Sequence, residues 1–213
     1  MRSVTALLIV LSALSTRAQY SFVFLNSRSD KPELPKEELD RLMQGHMGNI
    51  RRLAEEGKLI VAGPFENGGG IFILNTTSLD EANAWISTDP GVQARRWNIE
   101  ILHYTPIVGS VCAVKEPIEM VTYTFVRFKP NLLKETIRDY PALWKKHEDY
   151  INRLVPSGNV ITEGVFDSQE GGILVMKGEL SPDVLESDPA VSGGILLPEI
   201  KKLWVAKGAF CEK

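Results

Sequence analysis

Apolar residues recur along the first hundred positions with two different spacings. Between residues 37 and 56 they fall at 39, 42, 43, 47, 50, 53 and 54, the spacing of one face of a helix. Short β-rich runs at 20–25, 58–62, 71–74 and 98–104 predict four strands, and a capping box at 78–81 begins a second helix that extends to about residue 87. The resulting order, β-α-β-β-α-β, is the ferredoxin-like, split-βαβ pattern.

The second half of the chain repeats this pattern at an offset of about 101 residues. Nine of 24 positions are identical between residues 42–65 and 143–166. Strands are predicted at 121–128, 159–164, 172–176 and 199–205, with a helix at 140–154 and a shortened helix that begins at Ser181-Pro182. We therefore expect two ferredoxin-like domains, the first half at 20–108 and the second half at 119–208, joined by a linker at 109–117.

A four-stranded sheet with both helices on one face leaves its other face uncovered. That face is partly apolar in each half, and the other half of the same chain is the nearest structure that can bury it. The predicted fold class is therefore α+β, with two sheets packed face to face as an intramolecular pseudo-dimer. The sequence leaves further oligomerisation open.

Residues 1–18 have the pattern of a secretory signal peptide. Arg2 precedes a mostly apolar run at 4–14, and the small residue Ala18 ends the segment. The run is shorter than the roughly 20 residues that span a bilayer. We expect export to the periplasm or the medium and no membrane association after cleavage. An unremoved anchor helix is the alternative.

Composition and charge argue against several kinds of partner. Without residues 1–18 the chain has 22 Lys and Arg against 27 Asp and Glu, and the charges are not clustered. This balance argues against a nucleic-acid partner and offers no basic face for anionic lipid. Three histidines without other ligands at suitable spacing argue against a metal site. The sequence also lacks a Gly-x-Ser-x-Gly elbow and a Lys-Ser/Thr pair after Gly68–Gly70.

Two of the three histidines occupy matching positions in the two halves. His46 and His147 each lie on the apolar stripe of a predicted helix, so each should face the sheet, where an imidazole needs a polar partner. Asp89 and Asp188, each directly before a proline, are the candidate partners. A carboxylate bonded to one ring nitrogen makes the other a better base, so these residues are candidate catalytic pairs. Packing histidines and turn-forming Asp-Pro sequences are the alternatives.

Glycines at matching positions indicate close approaches of the backbone. Gly63-Pro64, Gly69-Gly70 and Gly164 are consistent with a backbone that borders a bound ligand, although ordinary turns explain the same residues.

Three further residues bear on the candidate sites. Cys112 and Cys211 each follow the last strand of their half, and an oxidising compartment would allow a disulfide between them, with two free thiols as the alternative. Glu163 replaces Ala62 of the first half, and it either adds a carboxylate to the second site or faces solvent. His103 is interpreted as a residue on a strand surface.

The order and spacing of these motifs resemble the YciI-like, or YCII-related, family. The motifs are His46, Gly57-Lys58-Leu59, Gly63-Pro64, Gly69-Gly70 and Asp89-Pro90, followed by His147, Gly158-Asn159-Val160, Gly164, Gly171-Gly172 and Asp188-Pro189. The resemblance implies ferredoxin-like domains that pair into a dimeric α+β barrel with a His/Asp site in a cleft. It implies that the histidines transfer protons and that the aspartates orient them. At least one related enzyme removes chloride from a chlorinated hydroxyhydroquinone.

The sequence therefore predicts an exported tandem protein with one or two His/Asp pockets. We expect acid–base chemistry of the lyase or isomerase type on a small organic molecule, without a cofactor. A non-catalytic barrel that binds a small ligand or a protein is the alternative. A purely structural protein would have no pocket beside either histidine. The second half departs from the pattern in its shorter second helix and in Val165, which replaces the proline of Gly-Pro.

Overall fold

The structure, a computed structural model, describes residues 19–131, 133, 139–167 and 171–212. The predicted signal peptide at 1–18 lies outside these residues. The described residues form eight strands and six α-helices. In chain order they are β1 (Tyr20–Ser27), α1 (Lys36–Glu55), β2 (Leu59–Pro64), β3 (Gly70–Leu74), α2 (Leu79–Ile86), α3 (Pro90–Gln93), β4 (Trp97–Val108), β5 (Met120–Pro130), α4 (Tyr140–Leu154), β6 (Val160–Phe166), β7 (Gly172–Met176), α5 (Pro182–Glu186), α6 (Pro189–Ser192) and β8 (Leu196–Ala206). Within the described ranges, none of the helices combines the length and the apolar character that crossing a membrane requires.

Each half has the predicted order of elements with one addition. A four-residue helix follows the second predicted helix in both halves, α3 after α2 and α6 after α5. Each short helix begins with a proline, which suits the first helical position because its missing N–H would have no partner there. The Asp-Pro pairs therefore begin helices.

The eight strands form one antiparallel sheet with the order β2-β3-β1-β4-β6-β7-β5-β8. The order within the first half is thus repeated in the second. Tyr104 of β4 pairs with Phe166 of β6, and this ladder joins the two halves. The two sheets that were expected to pack face to face are therefore joined through β4 and β6 into one sheet. β4 continues to Val108, beyond the predicted end of the strand, and β6 provides the hydrogen-bond partners that the added residues need.

The two outermost strands of this order approach each other and curl the sheet into a barrel-type fold. Phe65, just after β2, forms an isolated bridge with Leu203 of β8. The backbone N–H of Glu66 donates to the carbonyl of Lys202 at 3.0 Å. A Cβ on Gly63 would lie 2.8 Å from a methyl of Leu203, so the missing side chain allows this approach.

The inner face of the sheet is covered by residues of both halves, and the helices pack on its outer face. Along β1, Phe22 and Phe24 point inward while Val23 packs with the helices, as the alternation of a strand requires. The rings of Phe22 and Phe166 are 5.4 Å apart, and those of Phe24 and Phe125 are 6.2 Å apart. Each half therefore buries the inner face of the other.

An ion pair between the halves lies beside these aromatic rings. Arg127 of β5 donates two hydrogen bonds to Glu100 of β4, at 2.7 and 2.6 Å. The buried guanidinium lies 4.0 Å from the centre of the Phe24 ring. These hydrogen bonds hold the pKa of Glu100 below its usual value. The planar, bidentate contact is one that Arg provides and Lys does not.

The linker is attached to the end of the second half by a disulfide. Cys112 and Cys211 are bonded, with their Cα atoms 5.2 Å apart and 99 positions apart in the sequence. The backbone N–H of Cys112 also donates to the carbonyl of Ala209 at 2.9 Å. The neighbouring Phe210 packs into the inner core. The linker therefore lies against the barrel.

Replacing both cysteines, Cys112→Ser together with Cys211→Ser, should lower the free energy of unfolding by about 2–5 kcal/mol, because the cross-link closes a long loop in the unfolded chain. Urea unfolding measures this change. A reducing agent should have a similar effect on the native protein and none on the double variant. An unchanged midpoint in the double variant would show that the disulfide adds no stability.

Glu100→Gln should lower the free energy of unfolding at pH 7 by about 1–3 kcal/mol, because Arg127 loses its charged partner. The pKa of Glu100 is lower in the folded than in the unfolded state, so its contribution is complete above about pH 5 and is lost as the pH falls through the folded-state pKa. Urea unfolding between pH 7 and pH 3 should show the two proteins converging. Glu37→Gln, at an exposed helix position, is the control. If the difference in unfolding free energy between the two proteins stayed constant from pH 7 to pH 3, it would contradict the role given to the Glu100–Arg127 pair.

Candidate functional site

Asp89 and Asp188 are held in place by the short helices that follow them. Each residue is the N-cap of a four-residue helix, and each side chain is fully buried. Oδ1 of Asp89 accepts from the backbone N–H of Gly91 at 2.8 Å and of Val92 at 3.3 Å. Oδ1 of Asp188 accepts from Ala190 at 2.8 Å. One oxygen of each carboxylate is thus used by the cap.

The other oxygen of each aspartate meets the histidine of the same half. Nδ1 of His46 lies 2.8 Å from Oδ2 of Asp89, and Nδ1 of His147 lies 2.6 Å from Oδ2 of Asp188. An ionised carboxylate only accepts hydrogen bonds, so we assign Nδ1 as the donor, which leaves the lone pair of the neutral ring on Nε2. Each imidazole keeps about 10% of its surface exposed. The four residues proposed as catalytic are therefore brought together in two pairs.

His46 lies between an indole ring and a second polar side chain. Its ring centre is 4.9 Å from that of Trp97. Asn49, on the next turn of α1, donates to the same Oδ2 of Asp89 at 3.3 Å. The carboxylate of Asp89 therefore accepts hydrogen bonds from both a histidine and an asparagine side chain.

His147 lies beside two aromatic rings and a small cavity. Its ring centre is 4.8 Å from that of Phe128 and 5.7 Å from that of Trp144. The cavity, of about 20 Å³, is lined by His147, Glu163 and Glu148 among others. It has room for about one water molecule or one methyl group. Glu163 therefore faces the site of the second half.

Two larger cavities lie away from both histidines, beside the junction of β2 and β8. Their volumes are about 690 and 280 Å³, and both are lined by Phe65 and Lys202. Neither contains His46 or His147. These cavities have room for a ligand, but their size is not evidence of proton-transfer chemistry. We therefore place the candidate catalytic groups at the His–Asp pairs.

The paired glycines that were proposed to border a ligand lie against neighbouring strands. A Cβ on Gly69 would be 2.2 Å from the carbonyl oxygen of Leu25. A Cβ on Gly70 would be 2.5 Å from that of Gly63. Their missing side chains let the strands of the first half approach one another.

Of the other three proposed ligand-binding residues, Gly63 lies against Leu203 of β8, and two line different cavities. Pro64 lines the 690 Å³ cavity at the junction of β2 and β8. Gly164 lines the cavity beside His147, although a Cβ there would also lie 2.2 Å from the ring of Tyr104. Gly164 is therefore needed for packing and also borders a candidate site.

The remaining titratable candidates do not extend these sites. Among the described residues, no group of three or more His, Cys, Asp and Glu side chains is arranged to hold a metal ion. His103 is partly exposed on β4, with Nε2 3.8 Å from a carboxylate oxygen of Asp167. Short helices α3 and α6, which orient both aspartates, were not predicted, but the Asp-Pro motif was their signal in the sequence.

A YCII-related domain is found at residues 21–104. No curated protein sequence matches the chain. Among solved structures, a mutant chlorite dismutase from Candidatus Nitrospira defluvii in complex with cyanide is 13% identical, with a TM-score of 0.54, and the match covers 89% of this chain and 92% of that chain. A second mutant of that enzyme has a TM-score of 0.53 at 13% identity, with the same coverage. At this identity the likeness shows a shared fold alone, a mixed α+β fold with an eight-stranded antiparallel sheet.

Asp89→Asn should change the tautomer of His46. The cap requires an oxygen at the Oδ1 position, so the amide nitrogen takes the place of Oδ2 and donates to Nδ1. The neutral ring must then carry its proton on Nε2, which ¹⁵N NMR of the imidazole reports. Asn49→Ala, which leaves the His–Asp contact intact, should keep the Nδ1–H form. An unchanged tautomer in Asp89→Asn would contradict the hydrogen bond assigned here.

Proposed function

We propose that this chain is an exported enzyme built from two fused YCII-related domains. It uses His/Asp pairs for acid–base chemistry, of the lyase or isomerase type, on a small organic molecule. The observation that carries the proposal is the short Nδ1–Oδ2 contact, 2.8 Å in the first half and 2.6 Å in the second.

The geometry of each pair suits a base more than a packing group. The aspartate is fixed because its other oxygen caps a helix, so it holds the imidazole in one orientation. The Nδ1–H is committed to the carboxylate, and Nε2 remains as the proton acceptor. A buried His–Asp pair is costly to desolvate, whereas an apolar side chain would fill the same layer without that cost.

The proposed reaction begins with proton abstraction from carbon. Nε2 takes a proton from a C–H next to a carbonyl, and the electron pair forms a carbon–carbon double bond or expels a leaving group. Asp89 or Asp188 stabilises the imidazolium that forms. Loss of chloride from a chlorinated hydroxyhydroquinone, the reaction of a related enzyme, is also acid–base chemistry, in which a hydroxyl proton and chloride leave as HCl and a quinone forms.

The tandem arrangement and export rest on separate observations. The same strand order occurs in both halves, and the halves share one inner core, which supports an intramolecular dimeric α+β barrel. The disulfide between Cys112 and Cys211 suits the oxidising compartment to which a signal peptide would direct the chain.

A non-catalytic binding module is the second candidate function. The 690 Å³ cavity at the junction of β2 and β8 is lined by Phe65 and the half-exposed Trp204, with Lys202 at its wall. Such a surface suits a small aromatic ligand, and in that case the histidines would support the fold.

The test is proton exchange at carbon in D₂O, followed by ¹H NMR over a panel of small carbonyl compounds, together with chloride release from a chlorinated hydroxyhydroquinone. Replacing both histidines, His46→Gln with His147→Gln, should slow the reaction by about 10²- to 10⁴-fold, the usual contribution of a general base. His103→Gln is the matched control, because it removes the third histidine. Full activity in the double variant would refute the catalytic role.

A further inference from the structure

We infer that the second half carries the reaction, with Glu163 as a second acid–base group opposite His147. The inferred substrate is a small carbonyl compound with an exchangeable hydrogen on the adjacent carbon. This inference rests on the proposed acid–base function and assigns it to one of the two sites.

The register of the sheet directs Glu163 towards the helices. Glu163 of β6 pairs with Leu174 of β7, and Leu174 packs in the outer cluster beneath α4. Paired residues on adjacent strands point to the same face, so Glu163 lies on the side of His147, and both line the 20 Å³ cavity. In the first half the equivalent position is Ala62, opposite Phe72. The additional carboxylate is therefore specific to the second half.

The carboxylate of Asp188 also bonds to fewer side chains than the carboxylate of Asp89. At the position of Asn49, the second half has Tyr150, whose hydroxyl donates to the carbonyl of Val184. Among the described residues, His147 is thus the one side chain bonded to the carboxylate of Asp188. The contact is 2.6 Å, against 2.8 Å in the first half. Oδ1 of Asp188 caps α6, and His147 is the side chain bonded to Oδ2.

The first half uses the same region for packing. Arg52 donates to Oδ1 of Asn49 at 2.7 Å and to the hydroxyl of Thr88 at 2.8 Å. Thr88 in turn donates to Asn49 at 3.1 Å. This network ties α1 to the residue before Asp89. It explains the polar groups around His46 as a support of the fold.

The cavity fits the reacting end of a small carbonyl compound. Its volume of about 20 Å³ admits one methyl or methylene group, and Trp144 and Glu148 are among the residues that line it. Among the described residues, the charged side chains around the imidazole are Asp188 from the start of α6, Glu148 from α4 and Glu163 from β6. Asp188 holds Nδ1, and Glu163 lines the cavity on the side of the sheet, opposite the helix that carries His147.

The proton transfers balance within these groups. Nε2 of His147 takes the proton of the carbon next to the carbonyl, and the C–H electron pair forms the carbon–carbon double bond. The carbonyl electron pair moves to oxygen, which takes a proton that the Glu163 carboxylate has accepted from water. The product is an enol. The imidazolium and the Glu163 carboxylate exchange protons with water, so the reverse reaction in D₂O returns a deuterated substrate.

The first experiment measures this deuteration by ¹H NMR with pyruvate, acetone and dihydroxyacetone as probes. Glu163→Gln should slow exchange by about 100-fold, and Glu163→Asp should restore part of the rate. His147→Gln should abolish exchange. Glu186→Gln, at an exposed position on α5, is the matched control, and circular dichroism checks the fold of each variant.

The outcomes separate this inference from the general proposal. If His147→Gln removes exchange but Glu163→Gln does not, Glu163 has no catalytic role and the proposed function stands. If His46→Gln removes exchange and His147→Gln does not, the reaction has been placed in the wrong half. If no probe exchanges or neither histidine matters, the proposed function fails for this substrate class.

A second measurement tests Glu163 without a substrate. Exchange of the C2 hydrogen of each histidine in D₂O, followed by mass spectrometry, proceeds through the imidazolium, which a facing carboxylate stabilises. Glu163→Gln should therefore slow exchange at His147 by at least about threefold and leave His46 unchanged. Equal rates at His147 in the native protein and the variant would overturn the inference.

Discussion

The constraint on which this structure depends is the burial of the inner face of the sheet. Each half has helices on one face of its strands only, so the opposite face needs another cover. The halves supply it for each other, with Phe22 and Phe24 against Phe125 and Phe166. This tightly packed aromatic layer makes the inside of the barrel a core. The His–Asp pairs therefore lie in the outer layer, between helix and sheet, and each pair is built within its own half.

A second constraint, the burial of a carboxylate, fixes both pairs. Removing an aspartate from water costs several kcal/mol unless hydrogen bonds replace its hydration. At Asp89 four donors do so: two backbone N–H groups, one imidazole and one amide. One oxygen of this carboxylate caps the short helix, and the other fixes the orientation of the histidine. Helix start, turn and candidate base thus form one cooperative unit.

Local physical rules account for what the sequence predicted well. The spacing of apolar residues reflects which side of a helix or strand is buried, so α1, α4 and the strands could be predicted. The His46–Asp89 and His147–Asp188 pairs were proposed because both motifs recur at matching positions. The joining of β4 to β6 depends on where the ends of distant strands meet, which no local pattern records. Helices of four residues are likewise too short to show a period.

The glycines and the cavity show a different limit of prediction from sequence, because both depend on the volume of neighbouring side chains. Gly69 and Gly70 were candidates for a ligand, but their neighbours are carbonyl groups of adjacent strands. The space beside His147 exists because of what surrounds it in three dimensions, and no periodicity in the sequence encodes that volume.

The shared inner core of the two halves allows the two sites to differ without loss of the fold. Neither half can be removed, because each covers the inner face of the other. The outer layers face no such requirement, so one His–Asp pair can serve packing while the other acquires new groups. In the first half Asn49 contacts Arg52 and Thr88, and in the second half Glu163 stands in place of Ala62. The inner core is thus shared by the two halves, whereas each His–Asp pair is built within a single half.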